Sequence, residues 1–211
     1  MILAINTAFL NANLGIIVDK NARFEETIDA KSKHSENVLK TIDFLCKKAD
    51  VDINNIENLA LVVGPGSFTG IRIGVALAKG FGCANERLKV FPLSSLDLMA
   101  YIYLQKHKEK IVCVLNALSN LLFVCEYDEN GRKLGTERMI NKSDLSSLNG
   151  KIVCLKGDIV LDNAEYIEID TSSFLAFSEF AVKNLEPVSS DKVEPCYLRP
   201  SQAEENSKKS D

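Results

Sequence analysis

The sequence holds little of what metal and thiol chemistry is built from. It has only two histidines, His34 and His107. Neither belongs to a His-Glu-x-x-His motif, so zinc-peptidase chemistry lacks its ligands. Both read as surface or cap residues, and no metal site is expected. The six cysteines, Cys46, Cys83, Cys113, Cys125, Cys154 and Cys196, include no pair two residues apart. That excludes a zinc-knuckle spacing and a thioredoxin-type redox motif. Most sit in apolar runs, where a free cysteine behaves as a small buried hydrophobe. Reduced structural thiols are the expectation. No run approaches the ~18 apolar residues that span a bilayer, and Met1-Ile2-Leu3-Ala4-Ile5 lacks the basic leader of a signal peptide. No membrane contact and a cytoplasmic location are expected. A basic surplus is missing too: 25 Lys and Arg stand against 29 Asp and Glu, a net charge of −4. Such a balance argues against a large nucleic-acid footprint.

What is present is material for a core. Of 211 residues, 46% are hydrophobic and 26% charged, which suits one large domain or two small lobes. Residues 2–6, 14–18 and 22–30 read as three short strands in an antiparallel meander, with turn chemistry at Asn13 and Asp19-Lys20-Asn21. A helix follows, capped by Ser35, with Val38, Leu39, Ile42, Leu45, Cys46 and Ala49 at three- and four-residue spacing; Phe44 falls off that stripe. Residues 58–64 are an all-apolar strand that runs into a glycine-rich turn and a second helix, and residues 89–93 another strand. Ser94 with Asp97 resembles a capping box for a helix to about Gln105. After the polar run Lys106-His107-Lys108-Glu109-Lys110 the pattern restarts. Strands at 111–115 and 121–127, a turn at 128–131, a returning strand over 132–140, a strand from 151 and a helix over 173–185 follow. Residues 201–211 are polar throughout and expected to be disordered. Two α/β lobes with like beginnings point to a tandem fold of the actin and sugar-kinase kind.

The stretch Gly64-Pro65-Gly66-Ser67-Phe68-Thr69-Gly70 opens like a phosphate cradle. A strand–turn–helix is the right context, because a helix N-terminus favours anions. The details differ from known cradles. Ile71 follows Gly70 where a Walker A loop needs Lys, and the Rossmann glycine spacing is absent. Pro65 also removes a backbone donor. Gly64, Gly66 and Ser67 are therefore weak cofactor candidates. Behind the turn, Gly70, Gly74, Ala78 and Gly82 recur every four residues and form a smooth ridge. Such glycines cost about 1 kcal/mol each against alanine, so packing or function offsets them. The rest of this helix is apolar apart from Arg72 and Lys79. One face meets a sheet, and the other needs a neighbouring helix or a partner. Paired with the helix over 35–49, it makes half of a four-helix bundle that a second molecule would complete; plain packing within the chain is the alternative.

At these residues the chain resembles the TsaB (YeaZ) family. The resemblance is carried by Met1-Ile2-Leu3-Ala4-Ile5-Asn6-Thr7, by Lys33-His34-Ser35-Glu36, by the segment from Gly64 to Gly74, and by the tail "YLRPSQAE" at 197–204. It implies an α/β fold of two tandem actin-like (ASKHA, RNase H-like) lobes with mixed sheets. The lobes would run over 1–106 and 107–200, with 201–211 as a tail. It also implies a role in making threonylcarbamoyladenosine in tRNA. In that role this chain is a non-catalytic subunit that binds the catalytic paralogue TsaD through a four-helix bundle. TsaE joins them, while TsaC and tRNA are indirect partners. The family's usual Asp stands here as Asn6, a poor ligand for a hard cation, and its usual Asp-Ala-Arg turn reads Asn116-Ala117-Leu118.

Three readings follow. The leading one is an inert scaffold with no catalytic residue and no cofactor of its own, ATP and Mg²⁺ being handled by partner subunits. Its partner-binding residues would be Val38, Ile42 and Leu45 on the first helix and Gly70, Ile73, Gly74, Leu77, Ala78 and Phe81 on the second. A large residue at Gly74 would then block the partner and leave the fold intact. The rival is a small actin-like ATPase or phosphotransferase using the Gly64–Gly70 turn, with Asp158 as its best acid. The third is a homodimer through the same helices.

Overall fold

The computed structural model describes residues 1–29 and 34–198, without the side chains of His34 and Ser35. The expected Ser35 cap, the start of the Lys33–Glu36 motif and the 201–211 tail thus lie outside the described residues. Among the described residues, compactness divides the chain into two units, the first from Met1–Leu98 with Ile169–Pro195, the second from Met99–Glu168 with residues 196–198. The pattern in sequence puts the boundary at 106/107 and residues 169–195 in the second lobe; packing groups that segment with the first unit.

In the first unit, β1 (Ile2–Asn6), β2 (Ala12–Ile17) and β3 (Arg23–Ile28) form the expected meander. Both of its pairings are antiparallel. The chain then crosses through α1 (His34–Ala49) to β4 (Asn58–Gly64), which lies parallel to β1. It crosses again through α2 (Phe68–Ala84) to β5 (Lys89–Ser94), parallel to β4. A two-residue strand near the C-terminal end of the unit, Val188–Ser189, adds antiparallel to β5. Leu59 to Gly64 are all buried, as expected of a central strand covered on both faces. Helices α1 and α2 pack against β2, β3 and β4 and touch each other. A further helix, Thr171–Asn184, packs across β1 to β5. It starts where Asp170 accepts from the Ser173 N–H at 2.7 Å, an N-cap.

Helix α3 (Ser95–Leu104) opens on Ser94, whose hydroxyl accepts from the N–H groups of Leu96 and Asp97 at 3.1 and 3.4 Å. In the second unit, β6 (Ile111–Asn116), β7 (Leu121–Tyr127) and β8 (Arg138–Asn141) repeat the antiparallel start. Next come β9 (Lys151–Leu155), parallel to β6, and β10 (Glu165–Ile167), parallel to β9. With α4 for Thr171–Asn184 and β11 for Val188–Ser189, the two sheets have the orders β11-β5-β4-β1-β2-β3 and β10-β9-β6-β7-β8. Strip off β11 and both read fifth, fourth, first, second, third. The second core is small and aliphatic, gathered around Val112, Val114, Leu122, Val124, Leu145, Cys154 and Leu161.

The return from the 128–131 turn departs from expectation. Tyr127 makes a single bridge with Lys133, and continuous pairing begins only at Arg138. The Asp128 carboxylate accepts from the N–H groups of Asn130 and Arg132, so the turn closes on itself. Residues 132–136 are exposed and have no apolar face to hold them on the sheet.

Candidate functional site

The glycine turn is closed by the chain's own backbone. Gly64 has φ +119°, a conformation open to glycine and costly for other residues. The Ser67 N–H donates to the Ala8 carbonyl at 2.8 Å, and the Ser67 hydroxyl accepts from the Gly70 N–H at 3.2 Å, capping α2. The Thr7 hydroxyl donates to the Gly70 carbonyl at 2.7 Å. A Cβ on Gly66 would sit 2.4 Å from the Ala8 carbonyl oxygen. Gly66 and Ser67 therefore serve to dock the loop after β1 onto the start of α2, and two donors a phosphate would want are already in use.

Asn6 lies at the centre of a buried polar chain. Its side-chain oxygen accepts from the Ala8 N–H at 3.1 Å, and its amide nitrogen donates to the Asn13 side-chain oxygen at 3.2 Å. Asn13 donates to the Thr171 hydroxyl at 3.0 Å, and that hydroxyl lies 2.7 Å from the Thr27 hydroxyl. Asn6 is wholly buried and Asn13 nearly so. An aspartate at either position would bring a charge into this interior and lose a donor. The neutral amide suits the hydrogen bonds it makes.

The ridge on α2 requires a correction. Gly70, Gly74, Ala78 and Gly82 are all buried and face inward. A Cβ on Gly70 would fall 1.8 Å from the Thr7 carbonyl oxygen. On Gly74 it would meet a Leu61 methyl at 2.8 Å, and on Gly82 the Ser190 hydroxyl at 1.7 Å. The ridge is used up by Thr7 just after β1, by Leu61 of β4 and by Ser190 of the 3-10 turn Ser190–Lys192. A large residue at Gly74 would break the fold rather than spare it. Val38, Ile42 and Leu45 are likewise core residues.

The outward side of the helix pair carries different residues. On α1, Leu39 is 53% and Phe44 50% exposed; the stripe absorbed Leu39 as a core position and set Phe44 aside. On α2, Ile73, Leu77 and Phe81 are half-buried, while Ala76, Gly80, Cys83 and Ala84 face solvent. Gly80 has nothing within 4 Å of where its Cβ would be. A groove lies along α1 and the segment that follows it, lined by Leu39, Ile42, Asp43, Cys46 and Lys47, by residues 50–53, and by Phe81 from α2. Arg72 stacks on Phe68 at 3.8 Å, and Lys48 covers Phe44 at 5.5 Å. Of the nine expected partner residues, Ile73, Leu77 and Phe81 are half-buried on this side, and Ile42, though largely buried, lines the groove. The signal available in sequence was the unbroken small, uncharged line of Ala76, Gly80 and Cys83 on the side of α2 away from the ridge.

In the second unit, Asp158 ties β9's exit to the end of β6. Its carboxylate accepts from the Asn116 N–H at 2.7 Å, and the Asn116 amide donates back to the Asp158 carbonyl at 3.3 Å. Burial pushes the Asp158 carboxyl above its ordinary value, against the pull of that hydrogen bond. The Asn116 side-chain oxygen also accepts from the Leu118 N–H, so the turn read as Asn116-Ala117-Leu118 is held by its own asparagine. Among the described residues no group of three His, Cys, Asp or Glu side chains could hold a metal ion. Nor is any helix among them long and apolar enough to cross a membrane.

Comparison with known proteins agrees with this topology. The family model described as TsaD, tRNA N6-adenosine threonylcarbamoyltransferase, matches residues 27–167. The tRNA threonylcarbamoyladenosine biosynthesis protein TsaB of Haemophilus influenzae is 27% identical over 159 residues, 74% of this chain and 65% of that protein. Its counterpart from Escherichia coli is 31% identical over 141 residues, 64% of this chain and 59% of that one. The aligned part thus spans somewhat less than two thirds of either relative. Among solved structures, a Pseudomonas aeruginosa protein described as similar to the peptidase YeaZ superposes with a TM-score of 0.76 at 19% identity. That match covers 94% of this chain and 99% of the other. The fold is therefore α/β with two mixed sheets of the actin-like (ASKHA) kind.

Proposed function

The chain belongs to the TsaB (YeaZ) family, within the wider family of TsaD-type domains, and on that premise we propose that it is a non-catalytic subunit in tRNA threonylcarbamoyladenosine biosynthesis. Its part in this reading is to bind and organise a TsaD-type paralogue, the chain that transfers threonylcarbamoyl to adenosine. The contact is made by the outward side of α1 and α2, where Leu39, Ile73, Leu77 and Phe81 meet two helices of the partner and complete a four-helix bundle. TsaE, TsaC and tRNA join through that complex. The same surface serves a homodimer when the partner is absent.

The observation that carries this reading is an exposed apolar helix pair on a protein whose other machinery is occupied. Large exposed apolar surface on a soluble domain marks a contact. The acidic residue expected to hold a metal at the end of β1 is an amide engaged on both sides. The glycine turn spends its donors on the chain's own Ala8 and Ser67. Both support a binding role over the ATPase alternative.

Light-scattering chromatography of the full chain mixed with TsaD from the same organism tests it. The wild type is expected to elute as a one-to-one complex, with any homodimer dissolving. Leu39→Glu, at a half-exposed site, should remain folded and lose the complex. A wild type that stays apart from TsaD, or a Leu39→Glu protein that binds as well as wild type, overturns the assignment.

A further inference from the structure

The net charge of −4 hides an uneven distribution. In the second unit four cations are paired, Lys133 with Glu137, Arg138 with Glu126, Lys151 with Glu165 and Lys156 with Glu168, while Arg132 and Lys142 stand apart from one another and outside those pairs. Three lysines within five residues, Lys106, Lys108 and Lys110, make no ion pair among the described residues. They lie on the connection from α3 to β6, with Lys106 and Lys108 exposed and Lys110 half-buried.

This connection is held in one shape. The N–H groups of Lys106 and His107 donate to the Tyr103 carbonyl at 3.1 and 3.2 Å. The His107 ring stacks on the Tyr103 ring, 4.2 Å between centroids and 18° from parallel. The Tyr103 hydroxyl donates to Glu109 at 2.9 Å. Burial, that hydrogen bond and the charges of Glu109 and Glu165 push the hydroxyl up to about 12. At its far end the Lys110 carbonyl accepts from the Lys151 N–H at 2.9 Å, which brings Lys151 beside the run. The two carboxylates at hand are thus engaged, Glu109 by a phenol and Glu165 by Lys151. Four lysines face two glutamates, and the three outside any ion pair project from a fixed backbone beside an exposed imidazole. Neither the sheet nor α3 depends on these ammonium groups as a set, although Lys106, just past the end of α3, also suits the helix dipole there.

We propose that Lys106, Lys108 and Lys110 form a phosphate-backbone contact for RNA, a small footprint on an otherwise acidic protein. Ammonium groups read phosphates as point charges and carry no base sequence, so the loop positions the RNA and leaves selectivity to other groups. The choice of RNA rests on the reading of this chain as a subunit that works on tRNA. The loop belongs to the second unit, so RNA contact and the helix pair of the first unit are separable by substitution.

The test is fluorescence anisotropy of a labelled, unmodified tRNA transcript titrated with the full chain, alone and with its TsaD partner, between about 50 and 200 mM salt. Three proteins are compared: wild type, Lys106→Gln/Lys108→Gln/Lys110→Gln, and a charge-matched control, Lys142→Gln/Lys156→Gln/Lys192→Gln. Each phosphate contact contributes about 0.9 to the slope of log affinity against log salt, so the loop variant should lose roughly 2 to 3 from that slope. The control should keep the wild-type slope. Equal slopes for wild type and loop variant, or no RNA binding in either setting, overturn the proposal. So does a loop variant that loses TsaD while its RNA titration is unchanged, since the lysines would then meet an acidic protein surface. Light scattering on the same samples separates the two readings. A normal complex with lysine-independent RNA binding sinks this inference alone. Lysine-dependent RNA binding by a chain that ignores TsaD sinks the scaffold alone.

Discussion

The two units lay down the same five strands in the same order and connect them differently. In the first, the crossings after β3 and β4 are α1 and α2, of 16 and 17 residues. In the second, the crossing after β8 is a six-residue 3-10 turn, Lys142–Ser147, and the one after β9 has no helix at all. A parallel pair needs a crossover, and the second unit meets that need with little more than turns. The first unit therefore spends far more chain than its sheet requires, and the surplus is two helices with an apolar side left outward. Large exposed apolar residues occur in the second unit as well, at Leu118, Leu134 and Val160, but on loops rather than on a continuous helical face.

The sharpest way to break the comparison is at the glycines of α2. Gly70→Ala drives a methyl into the Thr7 carbonyl and should cost about 3 kcal/mol or more, abolishing a cooperative transition in thermal unfolding followed by circular dichroism. Gly80→Ala, ten residues along the same helix with open space around it, should instead gain up to ~1 kcal/mol. If both behaved alike, the inward and outward sides of α2 would be wrongly assigned.

Between the units, Leu39→Glu and Val160→Glu place the same charge on exposed apolar sites. Leu39→Glu should weaken the TsaD complex by about thirtyfold or more, the size of a hot-spot loss. Val160→Glu should leave it unchanged in the same calorimetric titration.

Buried polar groups give a smaller effect. Asn13→Ala takes away the acceptor of the Asn6 amide and one of the two partners of the Thr171 hydroxyl, which keeps Thr27, at a cost of about 1–3 kcal/mol in urea denaturation. In the second unit, Asp158 should show the opposite sense. Its carboxyl is raised by burial, so protonation favours the fold. The contribution is present in full below the ordinary carboxyl value and is lost as pH rises through the raised one. Asp158→Asn keeps an acceptor for the Asn116 N–H and should be at least as stable as wild type at neutral pH. That margin should shrink toward acid in urea melts taken from pH 7 down to pH 4. A variant clearly less stable at neutral pH would mean the charge itself is needed.

Much of the fold was readable in sequence because the first-unit elements carry plain apolar patterns. The first two strands of the meander and β4 follow from short apolar runs, β3 from a loose alternation, and the helices from apolar spacing and turn signals. β10 and β11, at three and two residues, are too short to show a period. Only the neighbours β9 and β5 make them strands. The ridge of small residues was legible as a place of close approach; what approaches was not. The answer lay in Thr7, Leu61 and Ser190, the last more than a hundred residues from Gly82. Choosing the inward side of α2 needed that contact. Likewise the lysine run was visible as a polar linker, while its fixed shape depends on the Tyr103–His107 stack and on β9 pairing beside it.

Hydrogen–deuterium exchange of the full chain with and without its TsaD partner tests the central claim most directly. Added protection is expected over α1 and the outward positions of α2, around Leu39, Ile73, Leu77 and Phe81, with the sheet of the second unit unchanged. Protection concentrated on the strands or loops of the second unit, with α1 and α2 unaffected, would contradict it.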